Sequence, residues 1–417
     1  ERKVMDALLR SHAEQIVKSA IGAVLPDEAV IRALEGKTFP GKVILVAAGK
    51  AAWQMANAAW SVASEAITSG IVITKYDHVK GPIGNLLCLE AGHPVPDENS
   101  FSATEKALEM TANLTQNDTV LFLLSGGGSA LFESPLVSGE ELQDITSQLL
   151  GSGADIVEMN TIRKRLSRVK GGKFALHCAP AQIYSVVLSD ILGDPLDMIA
   201  SGPACPDSAT SAQAVAVAEK YDLQLSSKAW ELLQKETPKE LSNVQTQING
   251  SVRHLCKAAA DACEALGYAP YILTDLLSCQ AKEAGSFLAS VLKTHAGKGE
   301  NIAFIAGGET VVKLTGKGKG GRNQELALSA APILSDLPGS ALFSVGSDGT
   351  DGPTDAAGGY VDWQTERTLI EQGISIHKVL EDNDAYHALQ KCDGLIVTGP
   401  TGTNVNDVAV ALFQDKQ

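Results

Sequence analysis

Residues 42–63 read KVILVAAGKAAWQMANAAWSVA, and residues 118–132 read DTVLFLLSGGGSALF. In both, a short apolar run ends in small residues and passes into a helical pattern. A run apolar at nearly every position suits a strand covered on both faces, and small residues suit a tight turn into a helix. Two such strand–loop–helix units predict an α/β fold built on a mainly parallel sheet.

Neighbouring segments extend the pattern. IVITK (71–75), LLCLEA (86–91) and IYSVVLSD (183–190) supply further strands, and Asp97 is placed to cap a helix through 101–116. The first 35 residues read as helix, with charges throughout and without the apolar core of a signal peptide. Residues 229–252 turn polar and mark the approach to a boundary, so one domain is expected over 1–240 and a second over 241–417. Beyond it, APYILTD, NIAFIAGGET, ALFSVGSDGTDG and DGLIVTG read as four more strands between helices. The second half is therefore also α/β.

Composition narrows the function class. The 417 residues are 44% hydrophobic and 20% charged, with a net charge of −15. That is a globular balance, on a chain long enough for two or three domains. No apolar run approaches the ~20 residues that span a bilayer, so no membrane partner is expected. The negative charge disfavours nucleic acid, whose phosphates call for a basic surface. Seven cysteines (Cys88, Cys178, Cys205, Cys256, Cys263, Cys279 and Cys392) are odd in number and show no C-x-x-C pair. Reduced thiols in the cytoplasm fit better than a disulfide framework or a zinc cluster. A homodimer is the commonest assembly for such an enzyme.

Several glycine-rich or carboxylate-bearing segments directly follow predicted strands, where open α/β sheets bind ligands. Lys50, after Ala47-Ala48-Gly49, stands at a helix start and reads as an anion site or as a solvated lysine. Ser125-Gly126-Gly127-Gly128-Ser129 matches neither G-x-x-x-x-G-K-[ST] nor G-x-G-x-x-G. It reads as a phosphate cradle or as a tight turn. Arg163, Lys164, Arg165, Arg168, Lys170 and Lys173 concentrate positive charge in an acidic chain. They either steer anions or form a solvated helix face. Asp190 can orient a hydroxyl, take its proton or hold Mg2+.

Gly316, Gly318, Gly320 and Gly321 precede Arg322. They read as a flexible lid or a surface hairpin, leading to a guanidinium suited to carboxylate or phosphate. Asp348, Asp351 and Asp355 suit a hard cation or a string of Asx turns. Residues 398–407 add another polar rim. His93, in G-H-P-V-P-D, reads as a structural loop residue; no H-E-x-x-H or Ser-His-Asp order is present.

Cations, a cradle and carboxylates are the parts that phosphoryl transfer needs. Hydride transfer and a non-catalytic sugar- or phosphate-sensing module are the competing classes. The missing G-x-G-x-x-G weighs against the first, and the number of polar strand ends against the second.

The motifs form an ordered series: V-A-A-G-K-A, G-H-P-V-P-D, L-S-G-G-G-S-A-L, N-x-x-R-K-x-L-S-x-x-K-G-G, S-D-I-x-G-D, S-G-P, G-G-E-T, G-x-G-G-R-N-Q-E-x-A and S-D-G-T-D-G-P-T-D-A-A-G. The series resembles the class II glycerate kinases, the glycerate 2-kinases with a C-terminal MOFRL-type domain. The resemblance implies ATP-dependent phosphorylation of D-glycerate to 2-phosphoglycerate, with Mg2+ or a similar cation. It also implies a Rossmann-like N-terminal domain, a smaller α/β C-terminal domain and an active site in the cleft between them. The lysine and arginine at the family's centre fall on Lys50 and Arg322. The remaining roles are hypotheses: Asp190 as base or metal carboxylate, Ser125 to Ser129 for nucleotide phosphate, Arg163 and Lys164 for substrate, and Asp348, Asp351 and Glu309 for the metal. Related sequences have carried the label hydroxypyruvate reductase, so reduction with NAD(P)H is the alternative activity.

Overall fold

The structure, a computed structural model, describes residues 2–415. It divides into two compact units. One is residues 26–249; the other joins residues up to 25 with those from 250 onward. The sequence reading cut the chain once, at 240/241; the structure cuts it twice. Helix Arg2–Ala23 packs on helix Val252–Ala265. There His12 Nδ1 and the Tyr268 hydroxyl are 2.8 Å apart, and Arg10 donates to the carbonyls of Asp393 and Leu395 at 2.9 Å. These partners lie hundreds of residues downstream, so local sequence carries no trace of them.

In the unit 26–249 the strands are β1 (Val43–Ala48), β2 (Ile67–Lys75), β3 (Leu87–Ala91), β4 (Thr119–Leu124), β5 (Gln182–Leu188) and β6 (Val244–Gly250). Their order is β3-β2-β1-β4-β5-β6. β1 pairs in parallel with β2 and β4, β2 with β3, and β4 with β5. This is the doubly wound Rossmann order, and its switch point lies between β1 and β4. Every residue of β1 and β4 is buried, which explains their unbroken apolar runs. β6 falls where the sequence reading saw no strong strand. It lies at the sheet edge, and its half-buried residues carry the polar pattern VQTQING.

Phe122 of β4, Phe132 and Phe174 form a trio with ring centroids 4.9 to 5.5 Å apart. Such pairs add ~0.5–1.5 kcal/mol beyond their buried area. Phe132 follows the triple-glycine loop directly, so the trio anchors one end of that loop in the core. Helices Gly139–Gly151, Ile156–Arg165, Ser211–Lys220 and Ser227–Leu233 build a satellite cluster around Ile145, Leu149, Ile162, Ala214 and Leu233.

The second unit holds β7 (Ala269–Leu277), β8 (Ile302–Gly308), β9 (Ser340–Gly346), β10 (Gly358–Asp362), β11 (Leu395–Ile396) and β12 (Asp407–Phe413), in the order β11-β10-β9-β12-β8-β7. β7 and β8 are parallel, but β12 runs antiparallel to both β8 and β9, and β10 to both β9 and β11. This sheet is mixed. The sequence reading placed four strands here and missed β10 and the central β12, which is buried at all seven positions. A six-residue apolar run, 408–413, has no period that separates strand from buried helix. Among the described residues no helix is long and apolar enough to cross a membrane.

Candidate active site

In the unit 26–249, ligand-competent groups gather where β1, β4 and β5 end. The β1 and β4 loops are laced together. Ser125 N–H donates to the Ala48 carbonyl at 3.1 Å, Lys50 N–H to the Gly126 carbonyl at 2.8 Å, and Ala51 N–H to Ser125 Oγ at 3.0 Å. Ser125 is thus a buried brace of the loop pair. The amides of Gly126, Gly127 and Gly128 donate to no group among the described residues. Three consecutive free amides at a switch point are an arrangement that can take an anion. The Lys50 ammonium makes no hydrogen bond or ion pair among the described residues, and its side chain passes beside Gly127. Gly127 has φ 90°, a backbone that favours glycine, and a methyl there would lie 3.1 Å from Lys50 Cγ. The Asp190 carboxylate lies directly against Gly126.

His93 stands at the same place. The methyl position at Gly127 is 3.0 Å from His93 Cδ2 and 3.1 Å from Nε2. Burial pushes this imidazole below its ordinary value, and Lys50 and Lys75 push it further, against a smaller opposing effect of Asp190. The sequence reading took His93 for a loop residue. The available signal was its position directly after β3, on the same sheet end as Lys50.

The other end of the cradle is held by a polar chain. Ser129 Oγ and Ser201 Oγ are 3.1 Å apart, and Ser201 Oγ donates to Asn160 Oδ1 at 3.2 Å. Ala200 and Ser201 are buried, with φ 52° and 60°. Left-handed backbone at non-glycine residues costs ~1–3 kcal/mol each and gathers at functional sites. Lys170 donates to the carbonyls of Ser129 at 2.6 Å and Phe132 at 3.3 Å, beside the buried Glu133 carboxylate. Burial pushes Lys170 down to about 8. Arg163 lies one helical turn beyond Asn160 and so shares its face. Its Nε is buried without a partner, and no hydrogen bond reaches its guanidinium among the described residues.

The basic segment is divided: Arg168 is exposed and pairs with Glu105 at 3.2 Å, whereas three of its cations are buried. Lys164, Arg165 and Lys170 are 4%, 1% and 0% exposed. Lys164 donates to Asp207 at 3.1 Å, and Arg165 lies 3.6 Å from the same carboxylate. Lys164, expected to meet substrate, is paired with a buried carboxylate of its own unit.

In the second unit, register builds a separate charged rim. Asp407 opens β12 and pairs with Gly308 of β8 and Gly346 of β9. The G-G-E-T loop, the S-D-G-T-D-G loop and the approach to β12 therefore meet. Arg322 begins helix Arg322–Leu334 and grips Asp407 with two bonds, Nη2 at 2.9 Å and Nε at 2.5 Å. Glu309 lies 3.5 Å from its Nη1. The Asp407 carboxylate holds Arg322 above its ordinary value, so the guanidinium stays charged.

The three carboxylates expected at a metal make contacts within the unit. Asp351 is buried and caps the arginine helix, accepting from the amides of Asn323 at 3.0 Å and Gln324 at 2.8 Å. Asp348 accepts from the Thr350 amide at 2.9 Å, an Asx turn. Glu309 belongs to the Arg322 cluster. Among the described residues no three His, Cys, Asp or Glu side chains group as metal ligands. The glycine strip before Arg322 is not a loose lid either: Thr315 to Lys319 donate backbone bonds to Asp382, Asn383 and Asp384 at 2.7 to 3.0 Å.

Comparison with known proteins supplies the remaining findings. Residues 12–234 match the domain of unknown function DUF4147, and residues 302–407 match the MOFRL family. The chain is 52% identical to the D-glycerate 2-kinase of Thermotoga maritima, over 97% of this chain and 98% of the relative. It is 37% identical to an Agrobacterium vitis protein provisionally named hydroxypyruvate reductase, over 98% and 95% of the two chains. The crystal structure of the glycerate kinase from Thermotoga maritima is similar, with a TM-score of 0.93 at 51% identity, covering 98% of this chain and 100% of that one.

Proposed function

The chain belongs to the family of glycerate 2-kinases that carry a MOFRL domain, and from that premise we propose that it transfers the γ-phosphoryl group of ATP to the C2 hydroxyl of D-glycerate, giving 2-phosphoglycerate and ADP. The observation that carries this reading is the cradle at the switch point: three free glycine amides and an uncommitted lysine on one loop pair, with a carboxylate set against Gly126 from the loop after β5. Phosphoryl transfer depends on positioning and on neutralising the equatorial oxygens, and these groups do both. Lys50 and the amides of Gly126 to Gly128 hold the transferring phosphoryl group. Arg163, with its unpartnered guanidinium, takes the glycerate carboxylate in fork geometry. Arg322, kept charged by Asp407, is a further cation available to the anionic substrates.

Mg2+ fits the donor set, because it is commonly bound by one or two carboxylates together with substrate phosphates and water. Asp190 would hold it, and the ion would neutralise phosphate charge. The reductase alternative gains nothing from the geometry: the β1 loop is A-A-G-K-A-A, without the fingerprint of a dinucleotide turn. Cytoplasmic residence is supported by seven cysteines that are all free thiols. The absence of a nucleic-acid partner is supported by the net charge of −15. Assembly as a homodimer rests on the general prevalence of symmetric pairs.

The test is ADP release, coupled to an indicator enzyme, with D-glycerate, ATP and Mg2+, run beside NADH with hydroxypyruvate. Glycerate-dependent ADP release without NADH consumption is expected. NADH consumption without ADP release would overturn the reading.

A further inference from the structure

We propose that His93 is a catalytic residue that accepts the proton of the attacking glycerate hydroxyl; this rests on the kinase reading above. Three observations carry it. The first is place. Directly after β3, the chain lays the imidazole over the central glycine of the cradle, where its Nε2 and the Lys50 stem flank one point at 3.1 Å each. A nucleophile brought to a phosphoryl group held by the cradle and Lys50 arrives beside that nitrogen.

The second is want of a partner. His12, His78, His177, His254 and His387 each engage a hydroxyl, carbonyl or carboxylate. Neither nitrogen of His93 has a hydrogen-bond partner among the described residues, although the ring is half-buried. A histidine kept for loop structure would be bonded into the loop. One left open in a cradle is available to a ligand.

The third is charge. The charged groups that act on the ring are Lys50 after β1, Lys75 at the end of β2 and Asp190 after β5. Burial and the two lysines favour the neutral ring over the imidazolium, and Asp190 opposes them. A neutral imidazole can take a proton.

The step balances. The C2 hydroxyl gives its proton to Nε2 as its oxygen bonds to the γ-phosphorus. The bond from that phosphorus to the β–γ bridging oxygen breaks, and its electron pair leaves with ADP. The imidazolium then returns its proton to water. In this scheme Nδ1 carries the hydrogen in the resting tautomer. Asp190, set against Gly126, takes no part in this proton transfer.

The experiment compares wild type with His93→Asn and His93→Ala, each checked for an unchanged thermal midpoint, following 2-phosphoglycerate formation from pH 5 to 8. In wild type, kcat is expected to fall on the acid side with an apparent pKa below 6.5. In the variants kcat falls ~10²- to 10⁴-fold, KM for glycerate changes little, and the acid limb disappears. Added imidazole restores part of the His93→Ala rate. Variants within a few-fold of wild-type kcat, a loss confined to KM, or a limb that persists in His93→Asn would overturn the assignment. NMR titration of isotopically labelled histidine in the wild-type protein tests the same point without a variant: a His93 ring still protonated at pH 7 contradicts it. A wild type that makes no phosphoglycerate would fell the kinase reading itself, an outcome distinct from an active wild type with an indifferent His93.

Discussion

The Asp190 carboxylate rests on the backbone of Gly126 so closely that a methyl group there would overlap its Oδ2. That contact sets a negative charge beside three free amides. Replacing the hydrogen of Gly126 therefore displaces the carboxylate. Gly126→Ala is expected to lower kcat ~10²-fold, the size of loss that a 1 Å misplacement produces. Steady-state ADP release, with circular dichroism to confirm the fold, checks this. Near-normal turnover in Gly126→Ala would show that Asp190 is not placed by this contact.

Lys50 offers the cleanest separation of function from stability. Its ammonium has no hydrogen bond or ion pair among the described residues, so the fold does not depend on it. Lys50→Met is expected to lose ~10²–10³ in kcat, as when a preorganised charge donor is removed. Its unfolding free energy stays within ~0.5 kcal/mol of wild type. Kinetics and urea denaturation on the same preparation give both numbers.

Adjacent residues Arg163 and Lys164 should behave oppositely. Lys164→Met leaves Asp207, 1% exposed, short of its principal cation. The expected loss is about 1–3 kcal/mol of stability with KM for glycerate unchanged. Arg163→Ala is expected to raise that KM ~10- to 100-fold, the worth of a charged hydrogen bond, with little effect on stability. The reverse pattern would move the carboxylate site to Lys164.

How much of this was legible in the sequence differs by element. β1 and β4 were readable because strands covered on both faces must be apolar throughout, and their small-residue exits showed the loops. The helix Arg2–Ala23 was readable as a helix but not as part of the second unit, because its anchors Tyr268, Asp393 and Leu395 are remote in sequence. The burial of Lys164, Arg165 and Lys170 was not legible because spacing reports charge but not burial; Asp207 and Glu133, which pair with them, lie outside the run. His93 was passed over for the same reason. A lone histidine in a loop has no local signature, and only the sheet order sets it over Gly127.

Arg322 and Asp407 join the two ends of that second rim, and the pair depends on fork geometry rather than charge alone. Arg322→Lys keeps the charge but loses the paired bonds to Asp407. It is expected to lower kcat by at least ~10-fold, with Arg322→Met lower still. Arg322→Met also strands a buried carboxylate at a cost of about 1–3 kcal/mol, which the double variant with Asp407→Asn recovers in part. Kinetics on the single variants and a denaturation cycle on all three measure these effects.

The most direct test of the central claim is phosphorus NMR of the protein with D-glycerate, ATP and Mg2+. The account predicts a growing 2-phosphoglycerate resonance matched by loss of the ATP γ-phosphate signal, both ~10²–10³-fold slower with Lys50→Met. ATP left intact in that tube, with NADH consumed alongside hydroxypyruvate in a parallel one, would contradict it.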